Sequence, residues 1–330
     1  MRALLAAAAL CMAAASPTAA AETGVDALHF EFENDLFAGE DRYYTNGFRI
    51  GWTRSEERVP PWLRSVADFL PFFVEREEPG RLKAAVHLGQ NMYTPEDIER
   101  TTPDPDDRPY AGWLYFVVGI ASERDNRIDR LQLNVGVVGP ASLADKTQAE
   151  IHRVTGSPRP QAWDTQLNDE PALMLSYERQ WRTWVGTAGD GWGLDVTPHV
   201  GGAVGNVFTK LNTGLTLRAG RNLPTDWGPP RIQPALPGSG VFRPRADFGW
   251  YAFAGFDGRA VARDIFLDGN TFEDSRSADK RPFVGELQVG GAVNIGRRLR
   301  LTYTHVFPTR EFRGQEGTQD FGAIAGSMVF

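Results

Sequence analysis

The sequence predicts an all-β fold: a transmembrane antiparallel up-and-down β-barrel of about twelve strands, of the outer-membrane type. Three observations predict it. Apolar and polar residues alternate with a period of two in run after run. No apolar run after residue 21 approaches the ~20 residues that a membrane-crossing helix needs. The tail from Phe321 to Phe330 carries no charge, alternates small and large side chains, and stops on an aromatic. A tilted strand crosses a bilayer in roughly 9–11 residues, and barrels of this type typically end in Phe.

The staves follow in order. Leu28, Phe30 and Phe32 alternate with His29, Glu31 and Glu33. Phe48, Ile50 and Trp52 alternate with Arg49, Gly51 and Thr53. Leu82, Ala84, Val86 and Leu88 alternate with Lys83, Ala85, His87 and Gly89. Similar runs occur near 110–121, 127–138, 172–184, 190–203, 208–221, 246–259, 281–296 and 297–308, and the tail 321–330 completes about twelve. An even number suits a single-chain bacterial barrel. Trp113, Trp181, Trp184, Trp192 and Trp250 fall near run ends, where an aromatic girdle lies. The competing reading is a large soluble β-sandwich or barrel.

The ends and the composition agree with export. Arg2, the apolar stretch Leu4 to Ala15 and the small residues Ala19 to Ala21 read as a Sec-type signal peptide over 1–21, leaving 22–330 as one barrel domain with its extracellular loops. The single cysteine, Cys11, lies in that leader, so neither cysteine catalysis nor a disulfide scaffold is available to the mature chain. The 35 Lys and Arg against 42 Asp and Glu give a net charge of -7, which argues against a nucleic-acid partner. Mean hydropathy is negative, as a barrel allows, because lumen-facing and lipid-facing residues average out.

If the first strand runs outward, the connections 34–45, 91–110 and 139–171 share the outer rim. They are the most polar and motif-like parts of the chain. Segments 55–80 and 222–245 then face the periplasm, where connections are normally short. Residues 61–73 read as a short amphipathic helix at the inner interface, and the Pro- and Gly-rich 222–245 as irregular.

These loops carry recognisable blocks. Phe32, Asn34 and Asp35 precede Asp41, Thr45, Asn46 and Gly47; Gly89, Tyr93 and Pro95 lead to Asp106, Arg108, Tyr110 and Gly112; Gly139 and Pro140 are followed by Gln148, His152, Gly156, Trp163, Gln166 and Glu170; later come Asp264, Asp268 and Asn270. In these blocks and their order the chain resembles the LpxR family of outer-membrane lipid A deacylases, from the first strand to Phe330. The resemblance implies a calcium-dependent lipid A 3′-O-deacylase that removes the 3′-linked acyloxyacyl group from lipopolysaccharide in the outer leaflet. It places His152 on the family's catalytic histidine, Asn34 and Asp35 on its Asn-Asp pair, with Ca²⁺ as cofactor, and Thr45 on a hydroxyl residue of the site. Arg100 is the nearest basic position to the family's lysine, and its spacing does not align cleanly. Arg keeps the charge but cannot shuttle a proton as Lys can.

The residues suit that chemistry. Neutral His152 can take a proton from water, and a hard cation prefers the oxygens of Asn34 and Asp35. A serine nucleophile is less favoured, because Ser142 and Ser157 lie in no Gly-rich nucleophile turn. Asn34 also shares the phase of Leu28, Phe30 and Phe32, so a regular strand points it toward lipid, where a polar side chain is costly unless it serves a ligand. The alternative is a strand that ends earlier, with Asn34 capping a turn. His29, His87, His199 and His305 read as lumen or interface residues. Asp104, Asp106 and Asp107 are a candidate second cation site or a solvated turn, and Gln166 and Glu170 candidate supports of the His152 loop. Two other functions stay open: a passive pore or structural barrel, and an outer-membrane phospholipase, for which no Ser-His-Asn set can be placed.

Overall fold

A computed structural model describes residues 26–37, 42–70, 73, 80–228, 232 and 242–330. The expected leader lies outside them. Thirteen strands form one antiparallel sheet: β1 (Ala27–Asn34), β2 (Tyr43–Arg54), β3 (Arg81–Thr94), β4 (Ala111–Glu123), β5 (Arg127–Val138), β6 (Glu170–Trp181), β7 (Trp184–Thr187), β8 (Trp192–Gly205), β9 (Phe208–Arg221), β10 (Phe248–Asp264), β11 (Phe283–Ile295), β12 (Leu299–Pro308) and β13 (Phe321–Val329). The short β7 continues β6 along the same partner: Gln180 faces His199 and, past a one-residue slip, Trp184 faces Val196. The β6–β8 and β1–β13 pairings therefore close a barrel of twelve staves. Closure leaves no exposed sheet edge, the condition for strands in lipid.

The period-two pattern translates directly into two faces. On β1 the odd residues His29, Glu31 and Glu33 are buried in the lumen, while Leu28, Phe30 and Phe32 face outward. Trp52, Val86, Leu88 and Phe116 continue that outward face on the next strands and are exposed, as residues solvated by acyl chains must be. The lumen is filled by cross-strand charge pairs, among them Glu31 with Arg49, Arg130 with Glu178 at 3.1 Å, His199 with Asp257 at 2.8 Å and Arg259 with Glu286. Buried charges persist only when paired in this way.

The two long inner connections behave differently from each other. Residues 61–69 form helix α1 (Pro61–Phe69), with Pro61 in the first turn, where its missing N–H costs nothing. Leu63 and Ala67 pack with Leu82, Ala84 and Ile120 on the outward face near the inner rim. The sequence reading of 222–245 as merely irregular is incomplete, because described residues of this stretch enter the lumen. Asp226, fully buried, pairs with both Arg218 and Arg300. Trp227 donates Nε1–H to Glu123 Oε1 at 3.0 Å, Ile232 donates its N–H to Glu33 Oε1 at 2.9 Å, and Phe242 lies under the Arg300 guanidinium. Glu33 is six residues up β1 from Ala27, roughly 20 Å at a strand's rise, so the inner segment reaches most of the way through the barrel.

Candidate functional site

Strand β1 runs unbroken through Asn34, which pairs with Asn46 on one side and Gly322 on the other. The turn-capping alternative is thereby set aside: Asn34 belongs to the outward phase. Pairing extends this row along one height of the wall, through His305 on β12, Gly322 on β13, Asn34 on β1, Asn46 on β2, Met92 on β3 and Gly112 on β4. Lower outward residues are open to lipid, yet Asn34, Asn46 and Met92 are all at most 3 % exposed. Other parts of the chain must lie over this stretch of wall.

Two covering pieces are visible, each seated on a glycine. Phe37, in the turn after β1, lies against Gly322, where an added Cβ would come 2.5 Å from its own Cβ. On the far side, Ser142 and Ala144 lie against Gly112, where an added Cβ would meet Ser142 Oγ at 2.1 Å and Ala144 Cβ at 2.3 Å. Gln90, also of the outward phase, donates Nε2–H to Ser142 O at 2.6 Å and fastens this cover to β3. The two seats are four strand steps apart, about 19 Å, and Asn34, Asn46 and Met92 form the floor between them. Phe32, Phe37 and Tyr303 stack edge to face beside it.

The second cover is the start of helix α2 (Ala144–Thr155). Its buried residues are Ala144, Gln148 and His152, spaced four apart and hence on one face. That face is turned to the wall, since Ala144 is the residue on Gly112. Gly156 stops the helix in the left-handed region, φ 78°, and its N–H bonds His152 O at 2.8 Å, the expected use of glycine at a helix end. The chain then doubles back and sets Pro158 O 2.5 Å from His152 Nδ1. A carbonyl can only accept, so Nδ1 carries the proton of the neutral ring and Nε2 is the basic nitrogen. Tyr110 packs on Trp163, whose Nε1–H reaches Gln148 Oε1 at 2.6 Å, and Gln161 N–H bonds Ile98 O at 2.9 Å; these contacts tie the His152 segment to the neighbouring loop.

On the floor, Asn34 donates Nδ2–H to Thr45 O at 2.9 Å, which orients Oδ1 the opposite way. Asp35, fully buried, accepts the Arg42 N–H at 2.7 Å through Oδ2. Thr45 and Thr94 share a hydroxyl hydrogen bond of 2.7 Å. Asn34, Asp35 and Thr45 are thus brought together at one end of β1 and β2, and His152 lies on the cover of the same wall at the same rim. Arg100 is not drawn in. Its side chain is 55 % exposed and sits 3.9–4.0 Å from Asp97 and Asp104 on the loop surface. Asp104 and Asp107 accept backbone N–H groups of their own loop, and burial raises the Asp107 carboxyl. Arg108 pairs with Glu311 across the rim at 2.9 Å rather than within its own loop. Glu170 holds Asn206, Asn270 and Thr271 and so braces the base of the loop.

Among the described residues, no group of three or more His, Cys, Asp and Glu side chains surrounds a common point. Among the described residues, a cation on this floor would meet the Asp35 carboxylate beside the amide oxygen of Asn34 and the hydroxyl of Thr45. That set fits a hard ion such as Ca²⁺ completed by further oxygens, and does not fit a transition metal that wants imidazole or thiolate. Sequence reasoning quoted Asn46 and Gly112 within the recognisable blocks but gave them no place in the site, and it assigned none to Gln90, Thr94 or the Phe37–Gly322 seat. The available signal was parity: Asn46, Gln90 and Gly112 are polar or small residues in an otherwise apolar phase.

Comparison with known proteins agrees with this architecture. The model of the family described as "Outer membrane protein LpxR" matches residues 4–330. The chain belongs to the LpxR family. It is an outer-membrane barrel, and the LpxR from Salmonella typhimurium superposes on it with a TM-score of 0.74 at 18% sequence identity, covering 92% of this chain and 100% of that one. The β domain of the Bordetella autotransporter BrkA gives a TM-score of 0.46 at 13% identity, covering 93% and 99% of the two chains. No curated protein matches the LpxR-family chain in sequence.

Proposed function

We propose that this LpxR-family barrel is a lipid A 3′-O-deacylase, hydrolysing the 3′-linked acyloxyacyl ester by a histidine-activated water with Ca²⁺ as cofactor. The observation that carries the reading is the sealed polar row on the lipid side of the wall. A polar floor at outer-leaflet height, covered by a helix that carries an imidazole, suits an ester that never leaves the membrane. Buried polar groups on a lipid-facing wall are costly unless they serve a ligand.

His152 Nε2 takes the proton from water while the Nδ1–H bond to Pro158 O holds the ring in that tautomer. The Thr45–Thr94 hydroxyl bond ties β2 to β3 at the point where the Thr45 carbonyl holds the Asn34 amide. Asn34 and Asp35 would hold the cation, which when bound polarises the ester carbonyl. Ser142 Oγ donates to Gly139 O at 2.6 Å and is fully buried as a packing residue, which speaks against a serine nucleophile. The filled lumen speaks against an open pore.

The test is mass spectrometry of lipid A from cells that express the chain, with calcium and with chelator. Loss of the 3′ acyloxyacyl mass that the chelator prevents is the expected result. An unchanged lipid A profile from a properly assembled barrel would falsify the reading, and a large steady current in planar bilayers would favour the pore instead.

A further inference from the structure

Asn46 is buried on the floor of the groove, 2 % exposed, and its Nδ2 has no hydrogen-bond acceptor among the described residues. It stands directly across the strand pair from Asn34, on the outward face, and cross-strand neighbours have Cβ atoms about 4.5–5.5 Å apart. On its other side is Met92, which offers only a thioether. A buried N–H without an acceptor is destabilising, and Ala would avoid that cost. Directly above it the β2–β3 register slips between Tyr44 and Asn46; bulges of this kind commonly re-aim a side chain beside an active site.

We infer that Asn46 is a catalytic residue whose Nδ2–H groups hold the carbonyl oxygen of the scissile ester as it becomes an oxyanion. The inference rests on the deacylase reading above and adds a group to it. In the step concerned, water oxygen bonds to the carbonyl carbon and its proton passes to His152 Nε2. The carbonyl π pair moves onto oxygen, which Asn46 then holds. Collapse of this adduct breaks the bond to the sugar oxygen, which takes the proton back from His152. The products are the acyloxyacyl carboxylic acid and a free 3′ hydroxyl. A fixed amide donor in a site without water is worth far more to the developing charge than to the neutral ester, and removing one such donor typically costs on the order of 10²–10³ in turnover.

The experiment compares wild type, Asn46→Ala and Asn46→Asp on lipid A in detergent micelles with calcium. It also measures the binding of a phosphonate mimic of the adduct and the temperature at which the barrel loses its compact electrophoretic mobility. The expected result is a fall in kcat of on the order of 100-fold or more in Asn46→Ala, with KM little changed and the phosphonate bound more weakly by a similar factor. Asn46→Asp falls further, since a carboxylate repels the oxyanion. The unfolding temperature of Asn46→Ala stays level or rises, whereas a purely structural Asn46 would lower it. Wild-type activity with an Asn46→Ala variant within a fewfold of it, or equal losses for substrate and phosphonate through KM alone, would overturn the role of Asn46 and leave the deacylase reading standing. An inactive wild type would overturn both.

Discussion

Among the described residues two helices lie on the outside of this barrel, and they cover opposite kinds of wall. At the inner rim α1 sets Leu63 and Ala67 on Leu82, Ala84 and Ile120, apolar on apolar. At the outer rim the turn before α2 and the helix start set Ser142 and Ala144 on Gly112, on a wall that includes Gln90, with Asn46 and Asn34 further along the Gly112 row. Lipid tails are as apolar as leucine, so nothing requires a helix to cover an apolar wall, and α1 does so as packing. Its other face, with Trp62 and Phe69 58 % and 85 % exposed, continues the lipid-facing surface. Polar residues on such a wall do need covering, and a cover over polar groups creates a compartment. The contrast teaches that on a barrel exterior the polarity beneath a covering element separates scaffold from site.

That contrast can be broken from either end. The largest effect is expected for His152→Ala: lipid A deacylation falls by on the order of 10²–10⁴, the range for a lost general base, while the barrel keeps its compact electrophoretic mobility. Activity equal to wild type would remove His152 from the chemistry and leave α2 no more functional than α1. Next is Gly112→Val. Its side chain enters space held by Ser142 and Ala144 and lifts α2 from the wall, so turnover drops by about 100-fold through misplacement alone, with little change in unfolding temperature. Leu63→Ala is the mirror image. It removes contacts under α1 at a cost of about 2 kcal/mol, read as a lower unfolding temperature, and turnover per folded molecule is unchanged. A drop in turnover as large as that of Gly112→Val would erase the distinction between the helices. The smallest effect belongs to Gln90→Ala, which deletes the bond to Ser142 O. About 1 kcal/mol of cover stability is lost, seen as faster proteolysis of the 140–168 segment and a modest fall in kcat.

Most of the barrel was legible because its cause is local. Each run of alternating residues carries its own evidence for a strand, and the register from β1 through β5 follows it. The break between Trp181 and Trp184 was not legible, because both halves alternate and only the pairing with β8 shows the slip. Within the site, the outward phase of Asn34 could be read from Leu28, Phe30 and Phe32. What lies over it could not, since Gln90 meets Ser142 and Gly112 meets Ala144 across long stretches of sequence. The resemblance pointed to His152 but offered only Arg100 for the basic role, and folding leaves Arg100 on the surface. Arg42 is a cation that folding brings to the same rim; its guanidinium bonds Glu96 at 2.5 Å, and its backbone N–H donates to the Asp35 carboxylate. Arg42 was inconspicuous in sequence because its partners come from separate loops.

The inner segment that carries Asp226 into the lumen has a consequence for the cell. Because Arg218 and Arg300 grip this carboxylate and Ile232 reaches Glu33, each copy inserted into the envelope takes up lumen space that a pore of the same strand number would leave to water.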